Sequence, residues 1–463
     1  MTHLIGKVLP YMLILYFLFR AFKQPIYLLG IPFLFFFQYC VFFDTVSIFN
    51  KPGSLPKDVL FLIWLTIIWC IFSSRTLIEP GHRRINFYHY RGVNLIDTLI
   101  ICLLIMSLIG LITVFQEYIV VKDVVKQFFS LTALFFGFFL VKNIICHTSL
   151  QSLKGFFFSI VLVNTLASVL YILDQGLHIT LYKVAEDAYQ QEIFQGEVIT
   201  RVFWFMPVLW FFSIAYLIVF REGKLLLSLG MLVINFLAIF VSYTRSFLGI
   251  ALLLILLYGI LNSLKKGSMS VLVKNVSVIT VTGVILFFAV SRLLPNKLNY
   301  FEDRIVNLKE DPTDENSNTL LIRFNRTNEI FHRMGDEKRF TGTGPVTEIQ
   351  YHGAEDINDT TADMVWTGVV FRWGYIGLAF FILLYLISAF KAFNMFLKNT
   401  GILSQFGLLL FLVVLSQMME SFTSWTFLNP GHFALGLWYF AVLSALTGFS
   451  NEYTLEFEKT SHG

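Results

Sequence analysis

The sequence predicts an all-α membrane protein, a polytopic bundle of about 12–13 transmembrane helices with one long extracytoplasmic loop. Hydrophobic residues make up 56% of the 463 positions, and they fall in long continuous runs. Backbone groups in lipid must be hydrogen-bonded internally, so each run of about 20 apolar residues indicates a spanning helix. One hydrophilic stretch, residues 292–363, interrupts these runs. Loops of this length are uncommon and usually carry function or disorder.

The apolar runs number roughly thirteen by this length criterion. In chain order they are Leu4–Phe22, Ile26–Phe43, Val59–Phe72, Leu95–Phe115, Phe128–Cys146, Gly155–Leu173, Val202–Phe220, Leu225–Ser242, Phe247–Leu264, Val271–Ser291, Met364–Ala389, Ile402–Met419 and Phe433–Phe449. We expect residues 1–463 to form a single membrane domain without internal repeats. Carriers are often built from two related halves with matched interrupted spans. No such pair is visible, which counts against a carrier.

Lysine and arginine in the short loops predict the orientation, because cytoplasmic loops are enriched in both. The segment Arg75–Arg91 has four arginines against one glutamate and is therefore expected in the cytoplasm. Three further loops are assigned to the same side, marked by Lys142 with Lys154, Lys265 with Lys266 and Lys274, and Lys391 with Lys398. Alternation of the spans then places residues 174–201, 243–246, 292–363 and 420–432 outside. The expected location is a cell membrane, crossed many times.

The long loop has internal organisation. Residues 319–334 predict an amphipathic helix lying in the headgroup plane. Its apolar face has Leu320, Phe324 and Phe331, and its polar face has Arg323, Arg326 and Arg333. The following Gly342-Thr343-Gly344-Pro345 predicts a tight turn, since glycine adopts backbone angles that other residues resist.

Several arginines are predicted on the external side: Arg201, Arg245, Arg323 and Arg326. Guanidinium stays charged and holds phosphate oxygens through two parallel hydrogen bonds. Together these side chains suit a lipid-linked phosphate or pyrophosphate. The alternative for any one of them is ordinary contact with lipid headgroups. Arg372, inside the next span, fits a functional role and snorkelling equally well.

Two residues of the loop are candidates for a general base. Asp363 adjoins the next span, and His352 follows the Gly-Pro turn; a base must lie close to its substrate. The other acidic residues of the loop are expected to be solvated surface. Gln417, Glu420 and His432 flank the last external loop, where they line the acceptor side of a cleft or simply cap helices. With no glycine-rich phosphate loop and no metal-ligand spacing, we expect no nucleotide, cofactor, metal or nucleic acid.

Short elements in one order resemble the O-antigen ligase/polymerase superfamily of bacterial envelope glycosyltransferases. They cover approximately residues 200–380. In order they are Arg201 before a span containing Pro207, the S-Y-T-R-S-F-L-G stretch at 242–249, Arg323 at the start of the loop helix, Gly342-Thr343-Gly344-Pro345, and Asp363 with Trp366 and Gly374-Tyr375-Ile376-Gly377. The resemblance implies a GT-C-like fold in the inner membrane.

The resemblance also implies an activity. A polysaccharide polymerase would transfer a polyprenyl-pyrophosphate-linked glycan to the hydroxyl of an acceptor sugar on a second lipid-linked repeat unit, with a flippase or chain-length regulator as partner. Arg201, Arg245 and Arg323, with Arg326, would hold the pyrophosphate, and Asp363 or His352 would accept the proton. The ligase branch has a histidine where this chain has Asp363, which favours a polymerase. A ligase is the near alternative, and a flippase is the alternative from another class.

Overall fold

The computed structural model is predominantly helical. It describes residues 2–34, 62–71, 93–117, 135–146, 148–177, 189–194, 197–202, 207–220, 225–242, 244–267, 338–344, 365–422 and 437–447, with single positions at 273, 277, 325, 328, 331, 332, 334 and 336. The helices are α1 Thr2–Lys23, α2 Leu62–Ile71, α3 Leu95–Glu117, α4 Phe135–Cys146, α5 Leu150–Leu177, α6 Pro207–Phe220, α7 Leu225–Val241, α8 Arg245–Lys266, α9 Val365–Lys398, α10 Gly401–Glu420 and α11 Leu437–Thr447. A 3₁₀ turn, Pro25–Leu29, and a short helical turn, Gly30–Pro32, follow α1.

These helices confirm a helical membrane protein. Among the described residues, four helices are long and apolar enough to cross a membrane, over Leu150–Leu173, Ser246–Lys266, Trp366–Lys398 and Gly401–Glu420. Shorter apolar helices occupy most of the other predicted spans. The predicted starts agree closely with the structure, since α3 begins at Leu95 and α7 at Leu225.

The described residues also contain one β-hairpin that the sequence did not predict. Strand β1, Tyr189–Phe194, pairs antiparallel with β2, Glu197–Val202. The span predicted from Val202 therefore starts later, with α6 at Pro207. The sequence did contain a signal, because β2 is rich in the β-branched residues that favour strands.

The chain divides into two compact units. The first unit comprises Met1–Leu13, Gln38–Ile48 and Phe157–Ile322, and the second comprises Ile14–Phe37, Phe49–Phe156 and Arg323–Gly463. The predicted single membrane domain remains a prediction.

A buried polar network joins α5, α6 and α7 in the first unit. Asn164 of α5 donates to Ser213 Oγ of α6 and to Asn235 Oδ1 of α7, both at 3.0 Å. Ser168 Oγ accepts a hydrogen bond from Trp210 Nε1 at 2.9 Å and donates to Asn235 Oδ1 at 3.2 Å. Interhelical hydrogen bonds in lipid contribute about 0.6 kcal/mol on average. They fix the register of three helices whose surfaces are otherwise apolar.

A buried ion pair holds helix ends together in the second unit. Lys142 Nζ of α4 donates to Asp97 Oδ2 in the first turn of α3. Asp97 Oδ1 accepts from Ser444 Oγ of α11 at 2.6 Å, and Asn94, which precedes α3, donates to the same hydroxyl oxygen at 2.7 Å. The start of α3 and the ends of α4 and α11 therefore lie at one end of this unit, as the predicted alternation requires.

Lys142 itself lies within α4, and its side chain is buried and bonded to Asp97. The predicted orientation, which counts lysines and arginines near the ends of the spans, remains a prediction.

Candidate functional site

Two of the four predicted pyrophosphate ligands lie on elements that the structure describes. Arg201 lies in β2, opposite Gln190 of β1, and Arg245 is the first residue of α8. Their backbones are described, whereas their side chains lie outside the described residues. The remaining predicted site residues, Arg323, Arg326, His352 and Asp363, also lie outside the described residues, as does His432.

The starts of α6 and α8 lie at the same end of the first unit. The ring of Phe211, near the start of α6, lies 6.0 Å from that of Phe247, in the first turn of α8. Arg245 opens α8, and Arg201 precedes the α6 start at Pro207 along the chain. That both arginines lie on one side of the membrane remains a prediction.

The N-terminus of α8 offers amide groups beside Arg245. Thr244, the N-cap residue, is extended, at φ −98° and ψ 105°, and within the described part of the chain its side chain does not cap the helix. The first turn of a helix has N–H groups without intrahelical partners and the positive end of the helix dipole. An anion is stabilised at such a position.

Helix α9 reverses direction at Gly374. This residue has φ 66° and ψ −172°, a region of backbone space that essentially only glycine adopts. Trp366 and Phe381 would be about 22 Å apart along a straight helix, at 1.5 Å per residue. Their ring centroids are 5.5 Å apart, and Trp366 also lies 6.4 Å from the ring of Tyr385. Residues 365–373, here called α9a, therefore fold back along residues 375–398, called α9b.

The reversal corrects the predicted continuous span over 364–389. Helix α9b alone is about 36 Å long by its rise per residue, more than the roughly 30 Å thickness of the hydrocarbon core. Helix α9a folds back beside it. Non-helical backbone at membrane depth is tolerated only where protein buries it or where it lines a polar cavity. The sequence signal was Gly374 itself, inside an otherwise apolar run.

The long loop returns to this reversal through a short segment. Thr343 donates through its backbone N–H and its hydroxyl to the Phe371 carbonyl, at 2.7 and 2.8 Å. Gly344 N–H donates to the Arg372 carbonyl at 3.1 Å. We call residues 342–344 together with 371–374 the glycine clamp. It supplies partners to carbonyls that lose their helical partners where α9 breaks.

Two glycines make the clamp possible because they let two backbones touch. A Cβ on Gly342, whose φ is +80°, would lie 2.3 Å from the Arg372 carbonyl oxygen, and a Cβ on Gly374 would lie 2.1 Å from that of Phe340. The sequence predicted a tight turn at 342–345. The two glycines of that turn have positive φ, and its described residues form the main-chain partner of α9a.

The loop helix ends beside the turn at Gly374 where α9 reverses, here called the apex. All the described positions between 325 and 341 are helical, and Gly342 N–H closes the last turn on the Lys338 carbonyl at 2.7 Å. The rings of Phe331 and Phe340 pack against Tyr375 at 6.3 and 5.9 Å. Helical positions thus continue beyond the predicted end at Met334.

Arg372 lies beside this apex and is only partly buried. Its neighbour Trp373 is fully buried and donates to Ser107 Oγ of α3 at 2.9 Å. Trp373 therefore fixes α9a to the second unit's core. A partly exposed guanidinium at a helix reversal is compatible with contact to headgroups.

The folded-back end of α9a reaches a cluster of aromatic and polar residues. Trp366 packs against Phe422, which follows α10, at 5.2 Å, and Tyr385 packs against Phe440 of α11 at 5.4 Å. Glu420 and Gln417 of α10 are 3% and 5% exposed. A buried carboxylate in a span is costly and is by default a functional hypothesis.

The antiparallel register of α9b and α10 brings these polar residues to one level. Ser404 Oγ donates to the Phe396 carbonyl at 2.9 Å, and the rings of Phe393 and Phe411 are 5.3 Å apart. Continued along both helices, this register places Gln417 and Glu420 opposite residues 381–388. We call Trp366, Ser388, Gln417 and Glu420, with the rings of Tyr385 and Phe422, the Glu420 pocket.

Three polar atoms of the Glu420 pocket are buried and make no hydrogen bond within the described part of the chain: Trp366 Nε1, Ser388 Oγ and Gln417 Oε1. Each such atom costs about 1–3 kcal/mol of stability. The sequence predicts one of two roles for Gln417 and Glu420, helix capping or lining a cleft. Backbone groups make the cap, because Ser421 N–H donates to the Gln417 carbonyl at 2.9 Å, and both side chains are buried.

Among the described residues, no group of three or more His, Cys, Asp or Glu side chains is arranged to hold a metal ion. No protein-family model matches the chain, and no curated protein matches it either.

Proposed function

We propose that this chain is a bacterial envelope polysaccharide polymerase, a membrane glycosyltransferase with a GT-C-like fold. It transfers a polyprenyl-pyrophosphate-linked glycan to an acceptor sugar on a second lipid-linked repeat unit. The reversal of α9 is the observation that carries the proposal. Asp363 stands two residues before α9, and α9a, which follows it, packs along α9b through Trp366 and Phe381. Such a re-entrant segment requires a buried or polar surrounding, as a site for sugars within a membrane protein does.

The proposed donor site holds the pyrophosphate on arginines. Arg245 opens α8, and the uncapped start of this helix adds amide donors beside it. Arg201 precedes α6, which begins at the same end of the first unit as α8. The resemblance assigns Arg323 and Arg326 to the same role. Positive groups fixed before reaction stabilise the charge that develops on the leaving pyrophosphate.

The proposed reaction is a single displacement at the anomeric carbon. The acceptor hydroxyl oxygen forms a bond to that carbon while the bond to the pyrophosphate oxygen breaks. The electron pair leaves with the lipid pyrophosphate, and the hydroxyl proton passes to Asp363 or His352. A ligase would use the same steps with a different acceptor.

A carrier is the second candidate, because two features of α9 and α10 favour it. Interrupted helices and buried carboxylates within spans are typical of transporters. The described α9 is interrupted, and Glu420 is buried. A flippase would move the lipid-linked glycan across the membrane without changing its length.

The substitution Arg245→Ala tests the polymerase, with Lys265→Ala at the opposite end of α8 as the matched control. We expect the Arg245 variant to accumulate normally but to make no polymer, because the leaving group loses its bidentate partner. Arg245→Lys should recover only part of the activity, since a point charge lacks the guanidinium fork. Polymer of normal amount and length from Arg245→Ala would rule out the assigned role.

A further inference from the structure

We propose that the Glu420 pocket is a binding subsite for one neutral sugar ring of the acceptor glycan. This inference rests on the proposed function and adds a second substrate site to it. The donor pyrophosphate is assigned to arginines, whereas for the acceptor the sequence left Gln417 and Glu420 between lining a cleft and capping a helix.

The polar atoms of the pocket match a polyol. Trp366 Nε1 donates only, Gln417 Oε1 accepts only, and the Ser388 hydroxyl does both. None of the three has a hydrogen-bond partner within the described part of the chain. Each hydroxyl of a sugar both donates and accepts, so neighbouring hydroxyls of one ring can satisfy such a mixed set.

The polar atoms of the pocket argue against the lipid part of the substrate. A polyprenyl chain would leave Trp366 Nε1, Ser388 Oγ and Gln417 Oε1 without hydrogen-bond partners. A ring with hydroxyl groups avoids this penalty.

The aromatic rings supply apolar surface beside these polar atoms. The rings of Tyr385 and Phe422 lie 6.4 and 5.2 Å from that of Trp366. Aromatic faces bury the apolar C–H surface of a sugar while the edges of the ring remain free for hydrogen bonds. Because Trp366 belongs to α9a, the affinity for sugar also depends on the position of that segment.

Direct binding tests the subsite without relying on catalysis. The purified full chain is heated with each of a panel of free hexoses, N-acetylhexosamines and deoxyhexoses. We expect at least one sugar, at about 100 mM, to raise the Tm by about 1–2 °C. Gln417→Leu and Trp366→Phe should remove this shift. If no sugar stabilises the wild-type chain, the subsite is refuted.

A matched control separates loss of the pocket from general damage. Ser388→Ala removes a hydroxyl without a partner, whereas Ser416→Ala on α10 removes one that is equally buried but bonded to the Val413 carbonyl at 2.8 Å. Only Ser388→Ala should lower sugar stabilisation. Equal losses in both variants would contradict the inference.

Transfer in proteoliposomes separates this inference from the proposed function. The substrate is the lipid-linked single repeat unit from cells that lack the gene, and polyprenyl pyrophosphate alone is the competitor. Glu420→Gln should reduce transfer at least tenfold and leave inhibition by polyprenyl pyrophosphate unchanged. Weaker inhibition, or unchanged transfer, would overturn the subsite. Sugar stabilisation in a wild-type chain that never transfers glycan would refute the polymerase and retain the subsite.

Discussion

The glycine clamp makes a sharp prediction at Gly342. A methyl group added there would lie 2.3 Å from the Arg372 carbonyl oxygen, 2.4 Å from the Arg372 carbonyl carbon and 2.5 Å from the Trp373 nitrogen. All three are backbone atoms, so no side chain can rotate away. Gly342→Ala must therefore push residues 342–344 off α9a.

The magnitude follows from what the displacement removes. Three hydrogen bonds connect Thr343 and Gly344 to the Phe371 and Arg372 carbonyls, and each contributes about 1 kcal/mol. Positive φ adds about 1–2 kcal/mol of strain for alanine. The expected loss is thus about 4–5 kcal/mol if the clamp opens fully. Converted to an equilibrium constant, this loss changes the ratio of closed to open clamp by roughly a thousandfold or more in favour of the open form.

Thermal unfolding and transfer activity in the full chain measure this effect. Gly401→Ala is the matched control, since Gly401 also has positive φ, +60°, but nothing lies within 4 Å of its added Cβ. The control should lose only the strain of about 1–2 kcal/mol. If both variants have the same Tm and the same activity, the backbone contact does not hold α9a.

Three further predictions concern the buried polar contacts. Lys142→Met should destabilise the second unit by about 3–5 kcal/mol, because it leaves the Asp97 carboxylate buried without its cation. The double variant with Asp97→Asn should recover part of the loss in Tm. Asn235→Leu should cost about 1–3 kcal/mol in a denaturation experiment, since it removes partners on α5; an unchanged midpoint would exclude a role in helix register. Trp373→Phe should lower the Tm more than Ser107→Ala, because it also leaves a cavity at a fully buried position, and the two losses should be less than additive in the double variant, because both remove the same hydrogen bond.

The sequence predicted most helices well because the cost of exposing backbone in lipid leaves few alternatives. Continuous apolar runs therefore located α3, α5, α7 and α10 to within a few residues. The same reasoning failed at α9. Hydropathy is unaffected by a chain reversal, and only the backbone angles of Gly374 distinguish a folded-back segment from a straight span.

The candidate site was predicted in part. Gly342–Gly344 and Gly374 were both identified from the resemblance, but nothing in their spacing showed that they bind each other. Glu420 and Gln417 were noted at the end of a span, where capping is the ordinary role of a polar residue. Both side chains are buried in the structure, and Trp366 of α9a packs on Phe422, two residues beyond Glu420.

Deleting the gene and analysing the lipid-linked glycans tests the central claim most directly. A polymerase predicts that single repeat units accumulate on their carrier lipid at the outer face of the membrane. Re-expression of the wild-type chain should restore polymer, and Arg245→Ala should not. Repeat units trapped at the cytoplasmic face, as a flippase would give, or finished polymer left on the carrier lipid, as a ligase would give, would contradict this account.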